Sequence, residues 1–465
     1  MEPRPLAVAS VLDLIGRTPL VPLNRVGKGL DYKLWAKLEF LNPGGSIKDR
    51  IAPSMIDQAE KEGWLRPGGT IIEATSGNTG VGLAMVAAVR GYRLIIVIPD
   101  KMSTEKIRLL KAYGARVVIT PSQVPANHPM SNISVAKKLS IEIPNSYYPN
   151  QYENPMNPEA HYRTTGPEIY EALGGNVHAV VMGIGTVGTA SGVGRYFKEK
   201  RPQTKIIGVD PKGSILAHFG RTGEMSHAAP YKVEGIGEDM IPKTAEFKFL
   251  DDFVTVDDRE SFALARRLTR EEGLFVGGSS GSALAGAIRW ADANHLGPEA
   301  NVVVIFPDSG DRYLSKFFSD DWMRENGFMD ETMKVGDVLQ AKDFQPPVVS
   351  VGPDISVRGA LAAMRQHIIA QLPVLSGETV VGSLFEEDLL KEVMRDATVI
   401  ERTVAQLMGP PFPVIGRNDP LTALMARLKE ERAVIVQGSA GEGVVGFLTR
   451  YDLVTFLSSG NGNAI

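Results

Sequence analysis

The sequence predicts an α/β protein with mostly parallel sheets, followed by a smaller α+β module. Short apolar runs alternate with helical patterns over most of the chain. Polar, glycine-containing loops follow several of these runs and open helices. After about residue 335 the chain contains an internal repeat. With 465 residues, the chain is long enough for more than one domain.

The composition excludes several classes of function. Hydrophobic residues make up 43% of the chain and charged residues 22%, so large cores can form. The net charge of −4 gives no electrostatic case for a nucleic-acid or anionic-membrane partner. The chain has no cysteine, which excludes disulfides, thiolate metal sites and cysteine nucleophiles. We expect no metal site and small molecules as partners.

The N-terminal stretch MEPRPLAVASVLDLIG has no basic segment before a long apolar run, unlike a secretory signal. No apolar stretch approaches the ~20 residues of a membrane span. We therefore expect a cytoplasmic protein.

The apolar runs are interpreted as strands. They are Thr70–Ile72, Leu94–Ile98, Arg116–Ile119, Ala179–Met182, Ile206–Val209 and Val302–Phe306. Continuous apolar strands that alternate with helices are typical of a parallel sheet covered on both faces. In such folds ligands bind at the carboxyl ends of the strands.

Polar loops that open helices are found at or just after several of these runs. They are Glu73–Gly80 (EATSGNTG), Gly183–Gly194 (GIGTVGTASGVG), Val276–Ser282 (VGGSSGS) and Phe306–Leu314 (FPDSGDRYL). Free N–H groups and hydroxyls at a helix start form a site for a carboxylate or a phosphate. A well-capped helix without a ligand is the alternative for each loop alone.

One loop also matches a dinucleotide-binding pattern. Gly183, Gly185 and Gly188 spell G-x-G-x-x-G between a strand and a helix, and Asp210 closes the next strand. The same backbone suits any phosphate at a helix N-terminus. The pattern therefore predicts a phosphate site, and a nucleotide-binding dehydrogenase stays open as an alternative.

The stretch Asn42–Arg50 (NPGGSIKDR) places a lysine in a similar loop. Ser46 is a good N-cap residue, so Lys48 is expected near a helix N-terminus. That position disfavours a second positive charge and favours loss of the lysine proton, as an amine nucleophile requires. An ordinary capped turn with a solvated lysine is the alternative.

The C-terminal part repeats itself. Val335–Leu339 corresponds to Val404–Met408, and Val380–Leu390 corresponds to Val444–Val454. Each copy is expected to run helix, strand, helix, strand, strand, helix. Two copies in tandem predict one pseudo-symmetric module, because a single small repeat buries too little surface alone.

Residues 8–328 resemble the cysteine synthase/cystathionine β-synthase family of fold-type II pyridoxal-phosphate enzymes. The resemblance is carried by NPGGSIKDR, TSGNTG, QYENPMNPEAHYRTTGPEI, GTVGT, VEGIGED and GGSSGS in this order. After a linker at 329–334, residues 335–397 and 398–460 resemble a tandem pair of CBS domains. Such a regulatory pair is typical of the cystathionine β-synthase branch and is usually missing from plain cysteine synthases.

The resemblance implies roles for individual residues. Lys48 would anchor pyridoxal 5'-phosphate covalently and act as the acid/base, Asn78 would meet the cofactor's phenolic oxygen, and Ser279 its pyridine nitrogen. The phosphate would be held by Gly185, Thr186, Val187, Gly188 and Thr189. The substrate would be held by Thr75, Ser76, Thr79, Gln151, Tyr152, Gly235 and Glu238.

The resemblance also implies an activity, condensation of L-serine with L-homocysteine to L-cystathionine. Cysteine synthesis from O-acetylserine or serine and sulfide is the main alternative, and a non-catalytic nucleotide sensor is a distant one. A homodimer or homotetramer is expected. The sequence has neither the N-terminal haem region of animal relatives nor any cysteine, so we expect no haem.

Two positions depart from the family pattern. Val187 replaces the middle glycine of the phosphate loop, where a positive φ would strain a β-branched residue. Glu238 replaces a tyrosine of many animal and fungal relatives, and its carboxylate could pair with the amino group of the acceptor.

In CBS pairs a hydroxyl and an aspartate hold the ribose of an adenosyl ligand. The second repeat has both, as Thr449 and Asp452, whereas the first has Asp388 but Phe385 in place of the hydroxyl. We therefore expect one adenosyl site, at Thr449 and Asp452, for S-adenosylmethionine or an adenine nucleotide. A module that only dimerises is the alternative.

Overall fold

A computed structural model of the chain describes residues 7–75, 77–125, 128–329, 333–342, 348–377, 379–438 and 442–458. It divides into two compact units, of which the first ends at Phe328 and the second begins at Met329. Residues 330–332 of the predicted linker and residues 459–460 of the predicted second repeat lie outside the described residues. Among the described residues, no helix is long and apolar enough to cross a membrane.

The strands of the first unit form a larger and a smaller sheet. Their bounds are β1 (Leu20–Pro22), β2 (Lys33–Leu38), β3 (Thr70–Ala74), β4 (Arg93–Pro99), β5 (Arg116–Thr120), β6 (Ser146–Tyr147), β7 (Ala179–Gly183), β8 (Lys205–Pro211), β9 (Asp252–Val256) and β10 (Asn301–Phe306). The larger sheet has the order β1-β2-β10-β7-β8-β9 and the smaller one β5-β4-β3-β6. The β1–β2 pair is antiparallel and the other pairs are parallel. The predicted mostly parallel α/β fold is confirmed.

Helices cover these sheets. Their bounds are α1 (Ile51–Lys61), α2 (Asn78–Arg90), α3 (Thr104–Ala112), α4 (Asn132–Glu142), α5 (Met156–Ala160), α6 (Gly166–Ala172), α7 (Gly188–Lys200), α8 (Leu216–Thr222), α9 (Asp258–Glu272), α10 (Gly278–Ala293) and α11 (Asp320–Glu325). A π-helical segment, His161–Thr165, joins α5 to α6. The predicted strands all lie within observed ones. A uniformly apolar strand is stable when layers cover both faces of its sheet. Strands β3 and β10 are buried along their whole length.

Local sequence explains where the main helices begin and end. Helix α2 ends before Gly91, which adopts the left-handed conformation that glycine tolerates best. Helix α9 begins after Asp257, whose side chain accepts a hydrogen bond from the Glu260 N–H. Helices α2, α7 and α10 each start within one of the predicted polar loops, so their N-termini lie at the carboxyl ends of the sheets.

The second unit repeats one motif. Its elements are α12 (Val335–Gln340), α13 (Val357–His367), β11 (Gln371–Ser376), β12 (Thr379–Phe385), α14 (Glu386–Arg395), β13 (Val414–Gly416), α15 (Leu421–Glu430), β14 (Ala433–Gln437), β15 (Val444–Thr449) and α16 (Arg450–Ser458). Each repeat contains an antiparallel pair, β11 with β12 and β14 with β15. The predicted order of elements is wrong in two places: among the described residues β13 has no counterpart in the first repeat, where Val351 forms only an isolated bridge to Val374, and Val404–Gln406 is a 3-10 turn where an α-helix was expected. Phe412 contacts Phe385 of the first repeat and Phe447 of the second, with ring centroids 5.5 and 5.0 Å apart. The predicted pseudo-symmetric pair is confirmed.

Candidate active site

A cavity of about 1070 Å³ lies in the first unit, where the carboxyl ends of β3, β4, β7 and β10 meet the helix starts. The predicted site residues that line it are Lys48, Asn78, Thr79, Gln151, Tyr152, Gly185, Thr186, Val187, Thr189, Gly235, Glu238 and Ser279. Loops far apart in the sequence therefore meet at one site, as the parallel topology requires.

Lys48 lies in a short 3-10 turn, Ile47–Asp49, that precedes α1. The predicted cap is confirmed, since the Ser46 hydroxyl accepts a hydrogen bond from the Lys48 N–H at 3.2 Å. Desolvation in the cavity lowers the pKa of the Lys48 amine to about 8, although a negative charge on Glu238, when that carboxyl ionises, and on Asp308 opposes this. A lower pKa was predicted from a helix N-terminus, but its main cause in the structure is burial.

The residues after Lys48 fix this turn to the rest of the unit. The Arg50 guanidinium donates to the Glu39 carboxylate at 2.6 Å and to Glu168 at 2.7 Å. The Asp49 carboxylate accepts from the Gly44 N–H at 2.7 Å. Breaking one partner of such a buried ion pair costs about 3–5 kcal/mol, so the turn has little freedom.

The loop between β7 and α7 has the form of a phosphate site. Val187 adopts φ 59° and ψ −4°, so the position does use the left-handed conformation. Its side chain is 2% exposed and belongs to the apolar core of the larger sheet. The Val187 side chain therefore makes buried apolar contacts, although its backbone adopts a conformation that valine disfavours.

Two side chains hold this loop against the segment that carries Gln151 and Tyr152. The Asn157 amide donates to the Gln151 carbonyl at 2.8 Å and to the Thr186 hydroxyl at 3.1 Å. The Thr244 hydroxyl donates to the Thr186 carbonyl at 2.6 Å. The loop residues therefore cannot move independently of the predicted substrate segment.

Gly188 and Thr189 begin α7. A Cβ at Gly188 would overlap the side-chain amide of Asn157, so only glycine fits there. The Thr189 hydroxyl lies 3.2 Å from His161 Nε2, and His161 Nδ1 lies 2.9 Å from the Thr165 hydroxyl. Burial and then the positive charge of Lys48 hold the pKa of His161 well below its usual range. A neutral imidazole thus supports the Thr189 hydroxyl from within a π-helical segment, a feature often found at functional sites.

The loop after β3 carries Thr75, Thr79 and Asn78, whereas Ser76 lies outside the described residues. The Thr75 hydroxyl accepts from the Gly77 N–H at 3.1 Å, and the Thr79 hydroxyl donates to the Gln151 side chain at 2.6 Å. Gln151 is thereby joined to the start of α2. Thr75 is 1% exposed and is absent from the cavity lining.

Asn78 takes part in a polar cluster with the loop Phe306–Leu314. Its amide donates to Asp308 at 2.7 Å and accepts from Arg312 at 2.6 Å. The Tyr313 hydroxyl donates to the same Asp308 oxygen at 2.6 Å. The sequence marked this loop as one that opens a helix and could bind an anion. In the structure it opens only a 3-10 turn, Gly310–Tyr313, and it orients Asn78.

Tyr152 and Glu238 face the cavity from different loops. The Glu238 N–H donates to the Ser214 hydroxyl at 3.0 Å, and its carbonyl accepts from the Ile215 N–H at 3.1 Å. Burial, with the charge of Asp239, raises the pKa of the Glu238 carboxyl to about 8. Burial raises the pKa of Tyr152 well above its usual value, and Glu238 raises it further when that carboxyl is ionised. Both pKa values lie above 7, so the protonated form of each group predominates at neutral pH.

Asp210 has a structural use. Its carboxylate accepts from the Ala217 N–H at 2.7 Å, in the first turn of α8, and its side chain is 1% exposed. Because this side chain is buried beneath α8, its carboxylate is not displayed to a ribose, which speaks against the dehydrogenase alternative. In the part of the chain that the structure describes, no cluster of His, Asp or Glu side chains could hold a metal.

The residues of the cavity fit pyridoxal phosphate. Thr186, Thr189 and the N-terminus of α7 offer hydroxyls and N–H groups to a phosphate. The Lys48 amine, with its lowered pKa, can hold an aldehyde covalently. The Ser279 hydroxyl is 2% exposed and lies in the first turn of α10, on the cavity wall.

The second unit contains a cavity of about 550 Å³ between the repeats, lined by Phe385, Arg432, Thr449 and neighbouring residues. Arg432 lies over the Phe385 ring at 5.0 Å. The Thr449 N–H and hydroxyl both donate to one Asp452 oxygen at 2.7 Å, and the Lys342 amine lies 3.1 Å from the same atom. Thr449 and Asp452 thus form one hydrogen-bonded group.

Fold and cavity define a pyridoxal-phosphate dependent enzyme, and sequence comparison agrees. The family described as "Pyridoxal-phosphate dependent enzyme" matches residues 11–308, and the CBS domain family matches residues 335–395 and 404–459. A cystathionine beta-synthase of Dictyostelium discoideum is 39% identical over 97% of this chain and 93% of its own length. The chain belongs to the cystathionine beta-synthase family.

Two proteins that match only about two thirds of this chain are also similar to it. A probable cysteine synthase of Bacillus subtilis is 45% identical over 66% of this chain and 96% of its own. The crystal structure of an O-acetylserine dependent cystathionine beta-synthase from Helicobacter pylori shares 42% identity with a TM-score of 0.61, covering 67% of this chain and 98% of that one.

Proposed function

We propose that the protein joins L-serine to L-homocysteine by β-replacement, which gives L-cystathionine and water. The observation that carries this proposal is the Lys48 amine, desolvated in a cavity that also holds a phosphate loop and two uncharged acid groups, Tyr152 and Glu238. The curated relatives named cystathionine beta-synthase match nearly the whole chain, the CBS pair included, which supports this substrate pair.

In this proposal Lys48 holds the cofactor and later moves the substrate's Cα proton. Bound pyridoxal phosphate supplies the electron sink that makes this proton acidic. Because the pKa of the Lys48 amine is lowered to about 8, the amine can accept the proton near neutral pH. Thr186, Thr189, Gly185, Gly188 and the backbone at Val187 would hold the phosphate.

The remaining cofactor contacts come from Asn78 and Ser279. Asn78, held by Asp308 and Arg312, would meet the phenolic oxygen. The Ser279 hydroxyl would meet the pyridine nitrogen. A hydroxyl there can leave the nitrogen unprotonated, which gives a weaker sink suited to elimination.

The substrate carboxylate would bind at the start of α2 through Thr75, Ser76 and Thr79, with Gln151. The hydrogen bond between Thr79 and Gln151 supports this pairing. Tyr152, Gly235 and Glu238 would surround the reacting side chain and the acceptor.

Cysteine synthesis is the second candidate. It is favoured by the likeness to a probable cysteine synthase and to an enzyme described as O-acetylserine dependent. Steady-state turnover of serine and of O-acetylserine, each against homocysteine and sulfide, tests both. We expect the highest kcat/KM with serine and homocysteine; a higher value with sulfide would replace the proposal with the second candidate.

We propose further that the enzyme is haem-free, because the chain has no cysteine that could supply a thiolate ligand. The CBS pair would bind S-adenosylmethionine or an adenine nucleotide at Thr449 and Asp452. A homodimer or homotetramer and a cytoplasmic location stay predictions from the sequence.

A further inference from the structure

Glu238 has a fixed backbone, and its side chain lines the same cavity as Lys48. Both polar groups of its backbone are bonded to the Ser214–Ile215 turn, and Gly235 and Gly237 have positive φ values of 87° and 79°. This loop shape brings the Glu238 side chain to the same cavity wall as Tyr152 and within electrostatic range of Lys48.

The surroundings of Glu238 favour its neutral form. Burial and Asp239 raise the pKa of the carboxyl to about 8, whereas Lys101, a hydrogen bond from Tyr152 and the Lys48 charge lower it less. The Tyr231 phenol also faces this carboxyl and stays neutral, because burial and Glu238 raise its pKa. At neutral pH the carboxyl therefore has a proton to donate.

Tyr152 leaves that proton available. Its phenol keeps its own proton, because burial raises the pKa of Tyr152 well above its usual value. A phenol that stays neutral does not take up the proton of the Glu238 carboxyl, which lines the same cavity.

The proposed function requires such a proton, because hydroxide is a poor leaving group. We propose that Glu238 is a further catalytic residue, which protonates the departing β-hydroxyl of L-serine and then takes the thiol proton of the acceptor. The inference rests on the proposed function.

The step balances. The Cβ–O bond breaks with its electron pair going to oxygen, and the Glu238 proton completes a water molecule. The resulting carboxylate then removes the proton of the incoming S–H group as sulfur bonds to Cβ. Lys48 handles the Cα proton separately, so each residue returns to its starting state.

The test compares two donors in Glu238→Gln, which keeps the size of the side chain but has no proton to transfer. L-Serine needs a protonated leaving group, whereas β-chloro-L-alanine loses chloride without one. With homocysteine as acceptor, we expect serine kcat to fall at least about 100-fold more than that of β-chloro-L-alanine. Glu238→Asp, which keeps an acid, should recover part of the loss. Equal losses with both donors, or unchanged serine turnover, would overturn the inference.

Two further readouts are independent of that ratio. Infrared difference spectra of wild type and Glu238→Gln, recorded without substrate, should show a neutral carboxyl band that disappears as pH rises through about 8. A band that disappears near pH 4 would contradict the inference. Wild-type protein that turns over β-chloro-L-alanine but not serine would overturn the proposed donor itself, an outcome distinct from a failure of Glu238 alone.

Discussion

At the scale of single residues, the site depends on side chains whose protonation burial has changed. Lys48 is easier to deprotonate than a solvated lysine, and Glu238 is harder to deprotonate than a solvated glutamate. Such opposite shifts in neighbouring groups are typical of acid/base sites. Both residues occupy short turns held by backbone hydrogen bonds.

Lys48→Ala should abolish turnover and the covalent attachment of the cofactor while the fold survives. The reason is that no other atom of this turn can supply the amine. Borohydride reduction followed by mass spectrometry measures the attachment, circular dichroism measures the fold, and Lys61→Ala, at an exposed position of α1, is the matched control. Retained turnover in Lys48→Ala would refute the assignment of the site.

Val187→Gly should lower stability and leave cofactor affinity unchanged or raised. Relief of the left-handed conformation gains about 1–2 kcal/mol, whereas losing a buried valine costs about 1.5–3 kcal/mol and glycine adds about 0.5–1 kcal/mol of chain entropy. The net loss in the free energy of unfolding is about 1–2 kcal/mol. Denaturant unfolding and cofactor titration measure the two quantities.

Val193→Gly is the control for this prediction. Val193 is equally buried in α7 but lies in the helix itself, so its loss is not offset by relief of strain. It should lose more stability than Val187→Gly. A large drop of cofactor affinity in Val187→Gly would show that the phosphate loop has been misassigned.

At the scale of elements, the segment before α5 and the loop before α7 behave as one polar assembly. Asn157 bonds Gln151 and Thr186, while Thr244 bonds Thr186 and the Tyr152 carbonyl. The predicted phosphate and substrate residues are therefore held by the same two side chains, those of Asn157 and Thr244. A change in this set should affect both ligands.

Asn157→Ala should weaken cofactor binding and raise the KM for the donor together. It removes the Asn157 donor from the buried Gln151 carbonyl, at a cost of about 1–3 kcal/mol, and leaves the Thr186 hydroxyl with only the longer bond from the Gly188 N–H at 3.4 Å. Asn154→Ala is the control, since Asn154 bonds Tyr147 and the Pro149 carbonyl instead. Fluorescence titration and steady-state kinetics measure the effects; a raised KM with normal cofactor affinity would disprove the coupling.

At the scale of the whole molecule, a catalytic unit is joined to a CBS pair with its own core. The repeats differ where a ribose would bind. Asp388 is exposed and lies 3.8 Å from Lys391, whereas Asp452 is largely buried with Thr449 and Lys342. The unequal repeats support one ligand site per pair.

Asp452→Asn should abolish binding of an adenosyl ligand, whereas Asp388→Asn should not. A carboxylate can accept hydrogen bonds from both ribose hydroxyls, and an amide can do so only in part. Calorimetry with S-adenosylmethionine, AMP and ATP measures binding, and thermal melting checks that both variants stay folded. Binding that survives in Asp452→Asn and is lost in Asp388→Asn would place the site in the first repeat.

The sequence by itself determined the strands, the loops that open helices and the repeated C-terminal motif. These features depend on local patterns, since an apolar run, a capping serine or a glycine turn acts through its nearest neighbours. The motifs around Lys48, Asn78 and Gly185 were found for the same reason. The positive φ of Val187 could be suspected from the glycine it replaces.

Only the tertiary structure decided which distant groups meet. Asn157, His161, Asp308 and Arg312 lie in segments that the sequence marked, but their individual roles could not be assigned, because those roles come from partners brought together by folding. The protonation state of Glu238 could not be predicted from the sequence either. A sequence does not show whether a glutamate is ionised or neutral, because its pKa depends on desolvation and on charges that folding brings together.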